Sequence, residues 1–370
     1  MTDPRLKKLA ENLIHYSCDL KKGENLLIEI FDCDAVLAEE LVKAAYAAGG
    51  RPFVSVYSSK AEREWLMQAE EEQISARAKW DAARMEDMDA YISFRGNNNI
   101  AENADIPDEK TRLYNSIYVN KVHYAIRLKK KWCVLRYPNA AMAQLSGMST
   151  RAFEDFYFNV CNLDYAKMDK AMDPLKALMD KTNRVRLVSP GTDIAFSIQG
   201  IGAVKCAGKM NVPDGEVFTA PVRDSVQGKI TFNTPSLFEG FKFEGISLTF
   251  KSGKIVDAVS NDTRRMNSIF NTDEGARYVG EFAIGVNPYI NAPMCDILFD
   301  EKIAGSIHFT PGSAYDEADN QNKSAIHWDL VLIQTSAWGG GEIYFDDVLI
   351  RKDGLFVPDT LQCLNPGNLK

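Results

Sequence analysis

The chain is expected to combine an α/β N-terminal domain, built on a mostly parallel sheet, with a β-rich α+β C-terminal domain. Three observations predict this. Helical and strand patterns alternate through the first half. Short β-runs separated by turn residues dominate from about residue 183. The 370 residues also exceed what one hydrophobic core usually supports, so domains at 1–182 and 183–370 are expected.

In the first half, Thr2 or Asp3 caps a helix with Pro4 in its first turn and an apolar stripe of Leu6, Leu9, Leu13 and Tyr16. NLLIEIF (25–31) reads as a buried strand, DAVLAEELVKAAYAAGG (34–50) as a helix stopped by two glycines, and PFVSVYS (52–58) as a strand. The alternation continues with a helix at about 60–78, AYISFRG (90–96), a helix near 108–122 and KKWCVLRYP (130–138). Arg127, Lys129, Lys130 and Lys131 read as a solvated turn. Beyond a helical region at about 150–180 come RVRLVS, DIAFSIQ, KITFN, SLTFKSGKIVDAV and EIYFDDVLI, punctuated by Ser252-Gly253 and Asp353-Gly354 turns.

Composition removes several function classes. A net charge of −8 argues against a nucleic-acid partner. The seven cysteines are scattered and form no CxxC pair, the usage of a reducing compartment without a thiolate zinc site. MTDPRLKKLAENLIHY has no apolar leader core, and no run approaches a membrane span. A cytoplasmic protein without a membrane or nucleic-acid partner is expected. Gly228-Lys229 and Gly253-Lys254 lack the earlier glycine of a phosphate loop, Gly339-Gly340-Gly341 precedes a strand, and no GxSxG elbow occurs.

Only four histidines occur, and two of them fall in GSIHFTPGSAYDEADNQNKSAIHWDL (305–330). Alternate strand residues project from one face, so His327 and Asp329 would converge while Trp328 packs behind. His308 reads as a strand end entering a turn. Each histidine taken alone reads as an ordinary hydrogen-bonded residue. Their neighbours alter that reading. Glu216 in NVPDGEVFTAP and Glu281 in YVGEFAIGVNP sit in apolar runs, where a carboxylate needs an exposed edge, a cation or a metal. Glu301 in LFDEKIAGSIH also fits a plain Asp300-Glu301-Lys302 turn.

Glu216, Glu281, Glu301, His308, His327 and Asp329 carry −4 with neutral imidazoles, matching two divalent cations. Such oxygen and nitrogen donors suit Zn²⁺, Mn²⁺ or Co²⁺, and the C-terminal domain is therefore expected to bind metal. A pair of ions roughly 3.5–4 Å apart polarises a carbonyl and activates water.

NVPDGEVFTAP, GEFAIGVNP, LFDEKIAGSIH, the His308-to-Tyr315 spacing, SAIHWDLV and GGGEIYFDDVLI together resemble the thermophilic aminopeptidase family, the aminopeptidase T and S type of metallopeptidase. The motifs cover most of 211–350. The resemblance implies that Glu216 and Glu281 are metal-binding glutamates, the second lying between two metals. It implies that Glu301, His308, His327 and Asp329 complete the ligands and that Tyr315 is an active-site tyrosine. It further implies a homodimer, an enclosed site, and removal of N-terminal residues from peptides with a free amino terminus. One departure stands out: the family's glutamate matching Glu301 precedes its histidine by five residues, and here the gap is seven. DEADNQN (316–322) is expected to be a solvated turn. Two rival readings use the same donors, a two-metal phosphoesterase and a catalytically silent, metal-stabilised binding protein.

Overall fold

Local caps and apolar periodicity place most element boundaries. The computed structural model of the protein describes residues 3–99 and 101–370, so Thr2 lies outside the described residues. The alternative cap, Asp3, accepts a hydrogen bond from Arg5 N at 2.9 Å and starts the Pro4–Asn12 helix. The chain forms two compact units, Met1–Asn162 with Gly208–Val212, and Leu163–Ala207 with Pro213–Lys370. Residue 182 marks where the β-runs begin; packing gathers the preceding Tyr165–Met179 helix with the second unit.

The first unit holds a fully parallel sheet in the order Arg51–Tyr57, Asn25–Phe31, Ala90–Arg95, Lys131–Arg136 and Asn211–Val212. Parallel strands covered on both faces read as continuous apolar runs, as NLLIEIF does. The helix expected at 60–78 is two helices, Ser59–Gln68 and Glu71–Glu86. Ala69 turns extended between them, and Lys110 Nζ donates to its carbonyl at 2.7 Å, satisfying an acceptor that a continuous helix would have used. The 150–180 region likewise divides into Thr150–Cys161 and Tyr165–Met179, the second capped by Asp164. The 127–131 run is not simply solvated. Arg127 lies over Trp132 at 4.5 Å and Tyr91 at 5.5 Å, because a flat guanidinium stacks on rings, and Lys131 pairs with Glu24 at 2.7 Å.

The second unit carries two larger antiparallel sheets. One has eight strands in the order Lys254–Val259, Ser247–Lys251, Gln227–Thr231, Thr192–Ser197, Arg184–Ser189, Glu342–Phe345, Val348–Lys352 and Leu355–Phe356. The expected turn residues Ser252 and Gly253 both have positive φ, +48° and +80°. The other sheet runs Leu330–Ile333, Ser306–Pro311, Val279–Gly285, Glu216–Thr219 and Val204–Cys206. Phe196 and Phe250 of the first sheet interleave with Phe282 and Phe309 of the second at 5.0–5.8 Å between ring centres. Trp328, 2% exposed, anchors the region by stacking on Phe238 at 4.6 Å beside Phe243 and Phe270. Its indole N–H donates to Ser236 Oγ at 2.9 Å. Among the described residues, no helix is long and apolar enough to cross a membrane.

Removing this anchor has a defined cost. Trp328→Ala is expected to lower unfolding free energy by about 3–5 kcal/mol, read as an earlier midpoint in guanidinium denaturation.

Candidate metal centre

The donors are brought together by strand register. In the five-stranded sheet, Ala283 pairs with His308 and Glu281 with Thr310, and the register shifts between Val279 and Glu281. Gly280 occupies that irregularity. A Cβ there would lie 2.4 Å from Ser313 O and 2.5 Å from Gly312 O, so only glycine lets the 312–313 backbone close on the strand. Glu216 begins the neighbouring strand, pairing with Gly285.

His308 stands in the middle of Ser306–Pro311 rather than at a strand end, because pairing continues through Phe309 on both sides and through Thr310 to Glu281. His327 and Asp329 lie in the extended lead-in to Leu330–Ile333, with His327 bridged to Gly312. Backbone extension suffices for the shared face. His327 Nε2 is 3.2 Å from Asp329 Oδ1, while Trp328 turns the other way.

Distances within the cluster are short. His308 Nε2 meets Glu281 Oε1 at 3.1 Å, His308 Nδ1 is 3.6 Å from Glu216 Oε2, and His327 Nε2 is 3.3 Å from Glu281 Oε2. Thr310 Oγ1 donates to Asp329 Oδ1 at 2.7 Å. His327 Nδ1 faces the Ser313 carbonyl at 2.8 Å. A carbonyl only accepts, so Nδ1 carries the hydrogen and a neutral His327 presents its lone pair at Nε2.

Three buried atoms here make no hydrogen bond: Glu216 Oε2, His308 Nδ1 and His327 Nε2. Orphaned polar atoms are costly in a folded interior, and a cation resolves the cost. Donor atoms gather within 4.8 Å of one another in Glu216–Glu281–His308, in Glu281–His327–Asp329 and in Glu301–His308–Asp329. All six expected donors are thus united, Glu301 included despite its spacing. It follows the short Ile297–Asp300 helix, and the turn after it absorbs the extra residues. These residues fit a divalent metal by donor type, burial and unmet valence.

Spacing alone does not single out Lys302, since charged residues beside Glu301 read as a turn. The residue is only 1% exposed, and Nζ sits 2.5 Å from Glu216, 2.7 Å from Glu301 and 3.5 Å from Asp214. DEADNQN also departs from a solvated turn. Asn320 donates to Pro221 O and Val279 O, and Asn322 to Gly275 O and Gly312 O, each at 2.7–2.9 Å. The two amides are buried because they satisfy carbonyls that neighbouring loops leave open, while Asp316, Glu317, Asp319 and Gln321 face solvent.

Electrostatics separate the groups. Burial pushes Glu216 up to about 8 against the pull of Lys302. Burial likewise raises Glu301. Burial alone would raise Glu281, but the His308 hydrogen bond and the nearby His327 imidazole outweigh it and leave the carboxyl lowered. Asp329 is held well below the carboxylate range by His327 in the same way. Burial opposes charge on both histidines, yet Glu216 and Glu281 raise His308 to about 10, and Asp329 and Glu281 raise His327 to about 12. Tyr315 covers this edge, its ring 4.7 Å from His327 and 5.8 Å from Phe218, with 49% of the residue exposed. Partial burial and then the charges of Asp329 and Glu281 keep its phenol protonated at neutral pH.

The sequence profile described as thermophilic metalloprotease (M29) matches residues 2–341. Aminopeptidase PepS of Streptococcus thermophilus is 25% identical over 95% of this chain and 96% of its own length. Aminopeptidase T of Thermus thermophilus is 27% identical over 84% and 85%. Wild-type AmpT from Thermus thermophilus superposes with a TM-score of 0.79 at 22% identity, covering 96% of this chain and 99% of that one. The structure of 2,5-dihydroxypyridine dioxygenase from Pseudomonas putida KT2440 superposes with 0.63 at 13% identity, covering 98% and 99%. Both structural likenesses concern the fold, which by itself does not choose a chemistry.

The histidine shifts predict how metal uptake depends on pH. Metal-free His308 and His327 hold protons up to about 10 and about 12, whereas a ligating imidazole must be neutral. Loading with Zn²⁺ at pH 7 should therefore release protons, and affinity should fall as pH is lowered from 8 to 6. Titration calorimetry in buffers of different ionisation enthalpy measures both.

Proposed function

The chain belongs to the thermophilic metalloprotease family M29, and from that premise we propose that it is a metalloaminopeptidase removing N-terminal residues from peptides with a free amino terminus. The observation that carries the site assignment is the cluster of Glu216, Glu281, Glu301, His308, His327 and Asp329, with three buried atoms that make no hydrogen bond. Ligands for a divalent metal, Zn²⁺, Co²⁺ or Mn²⁺, would be drawn from among these side chains. Taken alone, their charge calls for a pair of ions; Lys302 alters that count. When bound, the metal supplies a Lewis acid for the scissile carbonyl and acidifies water.

The chain's own groups do the rest. The excess of carboxylates attracts the substrate's α-ammonium, which selects peptide termini over internal bonds. Thr310 and the Ser313 carbonyl fix Asp329 and the His327 tautomer. Glu301, made a stronger base by its burial, takes the proton from the attacking water and returns it to the leaving amine. Tyr315, kept protonated, donates to the developing oxyanion. The proposal includes a homodimer in the cytoplasm.

A phosphoesterase would need cations free to meet phosphate. Lys302 is taken by carboxylates, and Arg223 by Asn322, Glu274 and the Tyr278 ring.

His327→Ala and Asp329→Ala should each reduce hydrolysis of aminoacyl-p-nitroanilides to background while circular dichroism stays native. Full turnover in both would sink the assignment. Tyr315→Phe should lower kcat by about 10²–10³ with little change in KM. A phosphoester panel should show no turnover under the same metal loading.

A further inference from the structure

Lys302 gives the centre an internal cation. Its ammonium offers three N–H donors and faces three carboxylates, Asp214, Glu216 and Glu301, at 2.5–3.5 Å. Every donor group containing Glu216 or Glu301 therefore already touches a positive charge that cannot diffuse away. These are Glu216–Glu281–His308, Glu301–His308–Asp329 and the outlying Cys206–Asp214–Glu216. A divalent ion on any of them would sit beside that charge and compete for the same oxygens. Among the described residues one group has no member on Lys302: Glu281–His327–Asp329. Its two carboxylates carry −2, its imidazole directs Nε2 inward, and three protein ligands with an open position are typical of catalytic zinc.

We infer that this chain holds one divalent cation tightly, at Glu281, His327 and Asp329, and that the Lys302 ammonium occupies the place of a second ion. Glu216 and Glu301 then frame the lysine rather than ligate metal. His308, hydrogen bonded to Glu281 Oε1, orients a ligand from outside the coordination shell. This inference rests on the metallopeptidase reading above.

Metal counting decides it. The full chain is stripped with chelator, reloaded with excess Zn²⁺ or Co²⁺, freed of unbound ion and assayed by elemental analysis. One equivalent is expected; two retained equivalents would overturn the inference and leave the peptidase reading standing. Glu281→Gln should lose the ion, whereas Glu216→Gln should keep it with an unchanged Co²⁺ visible spectrum. Loss of metal from Glu216→Gln contradicts the assignment. Lys302→Met should rise from one equivalent to two; a count that stays at one in folded Lys302→Met speaks against the lysine's role. If that variant does not fold, the wild-type and Glu216→Gln counts still decide. One equivalent without peptide hydrolysis would instead leave the metal count intact and remove the peptidase reading.

Discussion

Carboxylates crowded against one sheet and almost sealed from water are the constraint around which the second unit is arranged. Asp214, Glu216 and Glu281 are at most 5% exposed, and Glu301 and Asp329 lie alongside. Ionised carboxylates in such a setting lose hydration and repel one another, at several kcal/mol each unless cations and donors answer them. The chain answers in part, through Lys302, two imidazoles and the Thr310 hydroxyl. What it leaves unanswered, the negative charge gathered at Glu281 and Asp329, favours taking up metal. Metal binding and completion of the fold are then one free-energy term.

The backbone around the cluster serves the same end. Gly280 permits the 312–313 segment to approach, and that segment supplies the carbonyl that sets the His327 tautomer. Asn320 and Asn322 tie the 313–326 loop to four carbonyls outside it, so a polar stretch becomes a fixed wall of the site. Tyr315 projects from this wall, with its ring against His327. Rigid support of this kind keeps donors in place while their charges strain apart.

Much of the architecture was legible along the chain. The alternating first half and the β-rich second half were readable because parallel strands are continuously apolar, helices carry caps and stripes, and hairpins need positive-φ residues such as Ser252-Gly253. Breaks within helical stretches were not, because the Ala69 interruption depends on Lys110, distant in sequence, accepting a role as its partner. His308 reads as a strand end for a related reason. Pro311-Gly312 looks like a terminator, yet Gly312 continues the ladder through its bridge to His327.

The sequence by itself determined which donors were on offer: scarce histidines, glutamates in apolar runs and an H-x-D pair each have ordinary uses, and only in combination do they suggest a metal site. Residue type and alternation are local properties, and they survive in a linear reading. Only the tertiary structure decided which charges meet. Lys302 looked like one residue of a polar turn, and Asn320 and Asn322 like solvated loop, until strands far apart in sequence brought Glu216, Gly275 and Val279 against them. Charge pairing acts over a few ångströms of space, and the folded register alone sets which side chains lie that close.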